Sequence, residues 1–175
     1  MTKIKRIALI VLLLPIYFFA IRPIRAAIIE YWIYPETTSI VISKKDFRIT
    51  KIRSVTIRID KKDKNKKYGE ITSFKVPFGV YFIFSLIIIV GLDIRWRWML
   101  GISTYHLIIF LIGYGLLIVG LQETYILLKF ISLLNSYLLP AFSFGIVAFA
   151  WFNEKGKTID GQNMQPVTEP LYPHK

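Results

Sequence analysis

Cysteine is absent from all 175 residues. Disulfides, thiolate nucleophiles and cysteine metal sites are therefore excluded, and with them catalysis by the cysteine-dependent membrane transpeptidases and acyltransferases. Histidine occurs twice, as His106 and His174, too few ligands for a metal centre. Asp and Glu number 11 against 23 Lys and Arg, and none of the 11 falls within an apolar span, so paired carboxylates at a fixed site are missing as well. Gly101-Ile102-Ser103 lacks the closing glycine of a nucleophile elbow, and there is no glycine-rich loop to cradle a phosphate. No catalytic constellation is left, and no cofactor or metal is expected.

What the chain does have is apolar length. It is 54% hydrophobic with a mean hydropathy of +0.50, and its long runs carry no charge. That pairing marks spanning helices rather than a large soluble core. At roughly 20 apolar residues per span, four spans use about half the chain. The expected fold is an all-α integral membrane protein, four transmembrane helices with a small antiparallel β insert between helices 1 and 2.

The first run, Ile7 to Ile21, follows Lys3, Lys5 and Arg6 and ends on Arg22, Pro23 and Arg25 rather than on a small-residue cleavage site. An uncleaved anchor leading into an interfacial helix over Ala26 to Tyr34 is expected, with one long tilted helix as the alternative. The further spans are Val76 to Leu92, Trp98 to Leu121 and Phe130 to Phe152. Arg95, Trp96, Arg97 and Trp98 form a tight hairpin and, with Trp151, anchor one interface. Four units are expected: an anchor over 1–34, a soluble β-rich insert over 35–76, a three-helix bundle over 77–152 and a disordered polar tail over 153–175. Both termini then lie on the side of Arg95 and Arg97, expected to be the cytoplasmic face of a prokaryotic cytoplasmic membrane.

The insert, Pro35 to Val76, carries twelve basic residues against five acidic ones. This orientation places it outside, against the positive-inside rule. Thr38 to Ser43 is β-branched and reads as strand, and Val55, Ile57 and Ile59 alternate with Thr56, Arg58 and Asp60. Phe47 and Ile49 suggest another short strand before a parity break near Lys51, and Gly69 to Val76 can return as a partner. A three- or four-stranded meander follows. Lys44, Lys45, Arg48, Lys51, Arg53, Arg58, Lys61, Lys62, Lys64, Lys66 and Lys67 would draw an anionic partner, lipid headgroups or an acidic envelope polymer. The plainer role for these charges is to solvate a loop and guard a strand edge. Nucleic acid is not an expected partner, because exposed aromatics do not interleave the charges.

Within the spans, Ser103, His106, Phe110, Gly113, Leu117 and Gly120 advance by three and four and share a helix face suited to close packing. In the fourth span Asn135 and Ser136 precede Pro140, which should kink the helix and release a carbonyl near residue 136. A neutral His106 bonded to a neighbouring helix is the plain reading of that residue. A proton relay would need a carboxylate inside the membrane, and none is there. The function expected is that of a non-enzymatic accessory or scaffold subunit of a membrane or envelope assembly, in contact with the bilayer and another integral membrane protein. The alternative is a small transporter or proton-coupled subunit using His106 and the Pro140 break.

Overall fold

The computed structural model describes residues 2–43, 46–53, 55–65 and 67–162. The chain begins as one continuous helix, α1, over Lys3–Ser43. Three strands follow, β1 (Phe47–Arg53), β2 (Thr56–Lys62) and β3 (Tyr68–Lys75), then helices α2 (Val80–Gly91), α3 (Arg97–Gln122) and α4 (126–162). The strands form an antiparallel meander in the order β1-β2-β3, with a register shift in β1 between Lys51 and Arg53 and another in β2 between Ile59 and Asp60.

Helices α1 and α4 are each interrupted by wide π-helical turns, at Tyr17–Ile21, Ile29–Ile33 and Leu134–Leu138. Each turn ends two residues before a proline: Pro23, Pro35 and Pro140. Proline lacks an N–H, and its ring crowds the carbonyl four residues back. Those carbonyls belong to Phe19, Tyr31 and Ser136, all inside the widened turns. Opening the turn moves the carbonyl away from the ring, so the helix continues instead of stopping. Pro15, by contrast, is carried in regular α-helix.

Two cores stack end to end. In one, Ile57, Ile59 and Phe74 on the inner face of the sheet meet Ile29 and Ile33 of α1, Phe110 and Leu117 of α3, and Leu128 and Ile131 of α4. In the other, α2 occupies the place that the sheet holds above it: Phe82, Leu86 and Ile89 pack with Leu13, Ile102, Val147 and Ala150. Beyond this second core lies a layer of charge. Arg6 pairs with Asp93, and Arg95 and Arg97 both reach Glu154, at 3.2 and 3.4 Å. Asp93 also closes α2. It takes a left-handed conformation (φ 57°) while its N–H bonds Val90 O and that of Ile94 bonds Ile89 O, a Schellman ending.

Among the described residues three helices, α1, α3 and α4, are long and apolar enough to cross a membrane; α2, with 12 residues, is not. The expected second span begins as irregular backbone over 76–79, because Pro77 interrupts it and Phe78 turns left-handed (φ 63°). The anchor and interfacial helix are one helix, and it runs nine residues past Tyr34 through the expected strand at Thr38–Ser43. There β-branched propensity yields to tertiary packing, since Ile40 and Val41 lie against the sheet core. Hydroxyls also bond back along the helix, Ser39 to Glu36 O and Ser43 to Ile40 O. The soluble insert therefore reduces to the sheet and its turns. The polar tail starts as helix as far as Gln162, tied down by Glu154 and by Lys155 over the Trp151 ring at 4.4 Å. The rest of the expected tail lies outside the described residues.

Candidate functional site

The irregular segment between β3 and α2 exposes backbone groups in the middle of the molecule, and two side chains answer them. His106 projects from α3, fully buried, and its Nδ1 accepts the N–H of Phe78 at 3.1 Å. That bond places the ring proton on Nε2, which faces Ser143 Oγ of α4 at 3.1 Å; the serine hydroxyl in turn donates to Leu139 O. Phe78 and Phe82 flank the imidazole with ring centroids at 5.4 and 5.2 Å. Arg25 answers the other group: its Nε and Nη2 donate to Val76 O at 3.0 and 2.6 Å. Its head lies against Gly79, where a Cβ would come within 3.1 Å of Nη2. Gly79 thus gives the guanidinium its seat.

Side chains also tie the wide turn of α4 to its neighbours. Tyr105 of α3 donates to Leu138 O at 2.6 Å, and Asn135 Nδ2 donates to Ser73 O of β3 at 3.2 Å. Above these contacts a cleft of about 930 Å³ opens between α1, the lower edge of the sheet and the wide turn of α4. Arg22, Arg25 and Lys75 line it together with Tyr17, Asn135 and Ser136, and among the described residues no carboxylate lines it. Among the described residues none of the three cations is ion-paired. The arrangement suits an anion.

The expected site residues fall in several places. His106, Gly113 and Gly120 are buried on α3, and Ser103 bonds its own helix at Met99 O, 2.8 Å away. A Cβ on Gly120 would lie 2.8 Å from Leu128, and one on Gly113 would lie 3.3 Å from Phe74, so both glycines mark close approaches. Asn135 and Ser136 line the cleft and Pro140 shapes the turn beneath it, whereas His106 does not line it. The histidine's partner on the neighbouring helix α4 is Ser143.

The described basic residues of the insert are spread over the sheet and its turn, with Arg48 and Arg58 sharing one pocket that Asp60 also lines. Lys51 pairs with Glu30, Arg58 with Asp60 (2.7 Å) and Glu70 (3.7 Å), and Lys61 sits 3.5 Å over the Tyr125 ring. Arg48, Lys62, Lys64 and Lys67 are exposed on the sheet and its turn. Lys44, Lys45 and Lys66 lie outside the described residues, as does the side chain of Arg53. At the charged layer Trp96 is exposed and Trp98 packs on Phe149.

In the sequence Arg22 and Arg25 only close the first apolar run, and Lys75 has no assigned role. The available signal was the three-residue spacing of Arg22 and Arg25, which sets two cations on one helix face inside a run that is apolar to Ile33 apart from Glu30. No family model matches the chain, and neither does any curated protein or solved structure.

Proposed function

We propose that the chain is a four-helix integral membrane protein working as a non-enzymatic accessory subunit of a membrane or envelope assembly, with both termini on the cytoplasmic side. The observation that carries this reading is where the interior polar side chains end. Arg25, His106, Tyr105, Asn135 and Ser143 close on this chain's own backbone or on one another, whereas the buried hydroxyl of Ser85 on α2 has no partner. In lipid every such group must be satisfied internally. These side chains hold two broken backbones together; with both ring nitrogens of His106 engaged and no carboxylate beside it, the proton-coupled alternative has less support.

The dimensions favour a bilayer. Nineteen residues separate Arg6 from Arg25 on α1, and eighteen separate Ser136 from Glu154 on α4. At 1.5 Å per residue these are about 28 and 27 Å, close to the roughly 30 Å hydrocarbon thickness. The charged layer at Arg95 and Arg97 then lies at one headgroup region and the cationic cleft at the other. Helix α2 reaches its share of that depth only with the 76–79 segment attached. Of the most apolar window of α1, 6% is covered by the rest of the chain, against 33% for α3 and 28% for α4. That helix is the face open to a larger membrane protein.

The test is crosslinking in intact cells followed by purification in mild detergent. A second integral membrane protein in fixed ratio, lost when Phe18, Phe19 and Ile24 on the open face are changed to Ser, is the expected result. A monodisperse monomer without a crosslinked partner overturns the accessory role.

A further inference from the structure

We propose that the cleft bounded by Arg22, Arg25 and Lys75 holds the phosphate of an anionic phospholipid, at the headgroup level opposite the Arg95–Arg97 layer. Three cations line one cavity, and among the described residues no carboxylate neutralises them. Like charges gathered in one cleft repel one another, and an anion held among them removes that repulsion. Arg25 is fixed by Val76 O, by Gly79 and by the Tyr17 hydroxyl 3.4 Å from Nη1, so its charge is in place before any ligand arrives although its Nε–Nη2 edge is engaged by the backbone. Arg22 lies one turn earlier on α1 and Lys75 at the end of β3, both exposed and able to close on a phosphate from either side. The Asn135 and Ser136 side chains add neutral hydrogen-bonding groups to the wall.

Two observations favour a lipid over a free phosphate. The first is depth, since the cleft sits about one hydrocarbon thickness from the opposite charged layer. The second is what adjoins it. Val80 and Leu139 line the lower wall, and the half-exposed rings of Tyr81 and Phe144, 6.1 Å apart, continue down the outside between α2 and α4. That surface suits an acyl chain hanging from a phosphate held above it. The inference rests on the membrane placement proposed above.

Native mass spectrometry of the full chain, released from detergent after incubation with phosphatidylglycerol, phosphatidylcholine or inorganic phosphate, tests the site. One phosphatidylglycerol per chain should be retained in preference to phosphatidylcholine. The double variant Arg22→Gln/Lys75→Gln leaves Arg25 and its backbone bonds intact, and should weaken retention about thirtyfold. Lys64→Gln/Lys67→Gln, at the far turn of the sheet, should change it little. Equal loss in both double variants would mean diffuse attraction and would overturn the site. Inorganic phosphate displacing the lipid at equal concentration would overturn the lipid as its occupant. Equal retention of both phospholipids counts against the cleft alone, whereas retention of neither counts against the membrane placement.

Discussion

Removing the imidazole of His106 strands the N–H of Phe78, takes from Ser143 Oγ the bond it accepts while leaving the one it donates to Leu139 O, and opens a hole between Phe78 and Phe82. Each unpaired buried group costs about 1–3 kcal/mol, so His106→Ala should destabilise the protein by about 3–5 kcal/mol in detergent, read by thermal unfolding. A proton-relay residue could instead be removed with its fold intact and its activity lost. The glycines of α3 give a graded series. Gly120→Ala drives a methyl into Leu128 and should cost about 1–3 kcal/mol; Gly113→Ala asks Phe74 to give slightly and should cost less; Gly115→Ala meets open space and should gain up to about 1 kcal/mol. A different order would mean that α3 packs on another face. The shared helix face was readable because spacing alone fixes which residues coincide. The partners were not: a serine on α4 and a backbone N–H in a loop become neighbours of His106 only through tertiary placement.

At the scale of elements, α1 tests how far local preference decides structure. Ile42 is 78% exposed in its last turn, so little packing depends on its side chain. In a helix Ile42→Ala should raise stability by a few tenths of a kcal/mol and Ile42→Gly should lower it by about 0.5 kcal/mol; in a strand Ile42→Ala would lower it. The amide exchange protection of residues 38–43 in each variant reports which applies. Thr38–Ser43 misleads as a sequence because its β-branched run is carried by packing against the sheet and by hydroxyls bonding back along the helix. The sheet itself was legible: the alternation at Val55–Asp60 and the parity break near Lys51 are local, and they correspond to β2 and to the shift in β1. The wide turns were only half legible. Pro140 announces a kink in a span expected to continue to Phe152, but not that a widened turn absorbs it.

For the whole molecule, the two stacked cores fix which parts share a level. Ser43 and Trp96 stand at opposite ends, so single cysteines at these positions, in a chain that has none of its own, should react with an impermeant maleimide from opposite sides of the membrane. With the termini cytoplasmic, Ser43→Cys labels in intact cells and Trp96→Cys only after lysis. Labelling of both from one side would remove the spanning role of α1. The end-to-end stacking of α2 beneath the sheet also bears on biogenesis. Until α3 arrives, the bent entry to α2 has no imidazole to receive the N–H of Phe78, and an unpaired amide in lipid costs several kcal/mol. The order of synthesis is therefore not the order of maturation: α2 reaches its final form only after the helix that follows it. A ribosome-stalled chain ending within α3 before His106 should hold α2 in a protease-sensitive, unsettled state, and extending the chain past Ser143 should release it into the finished bundle.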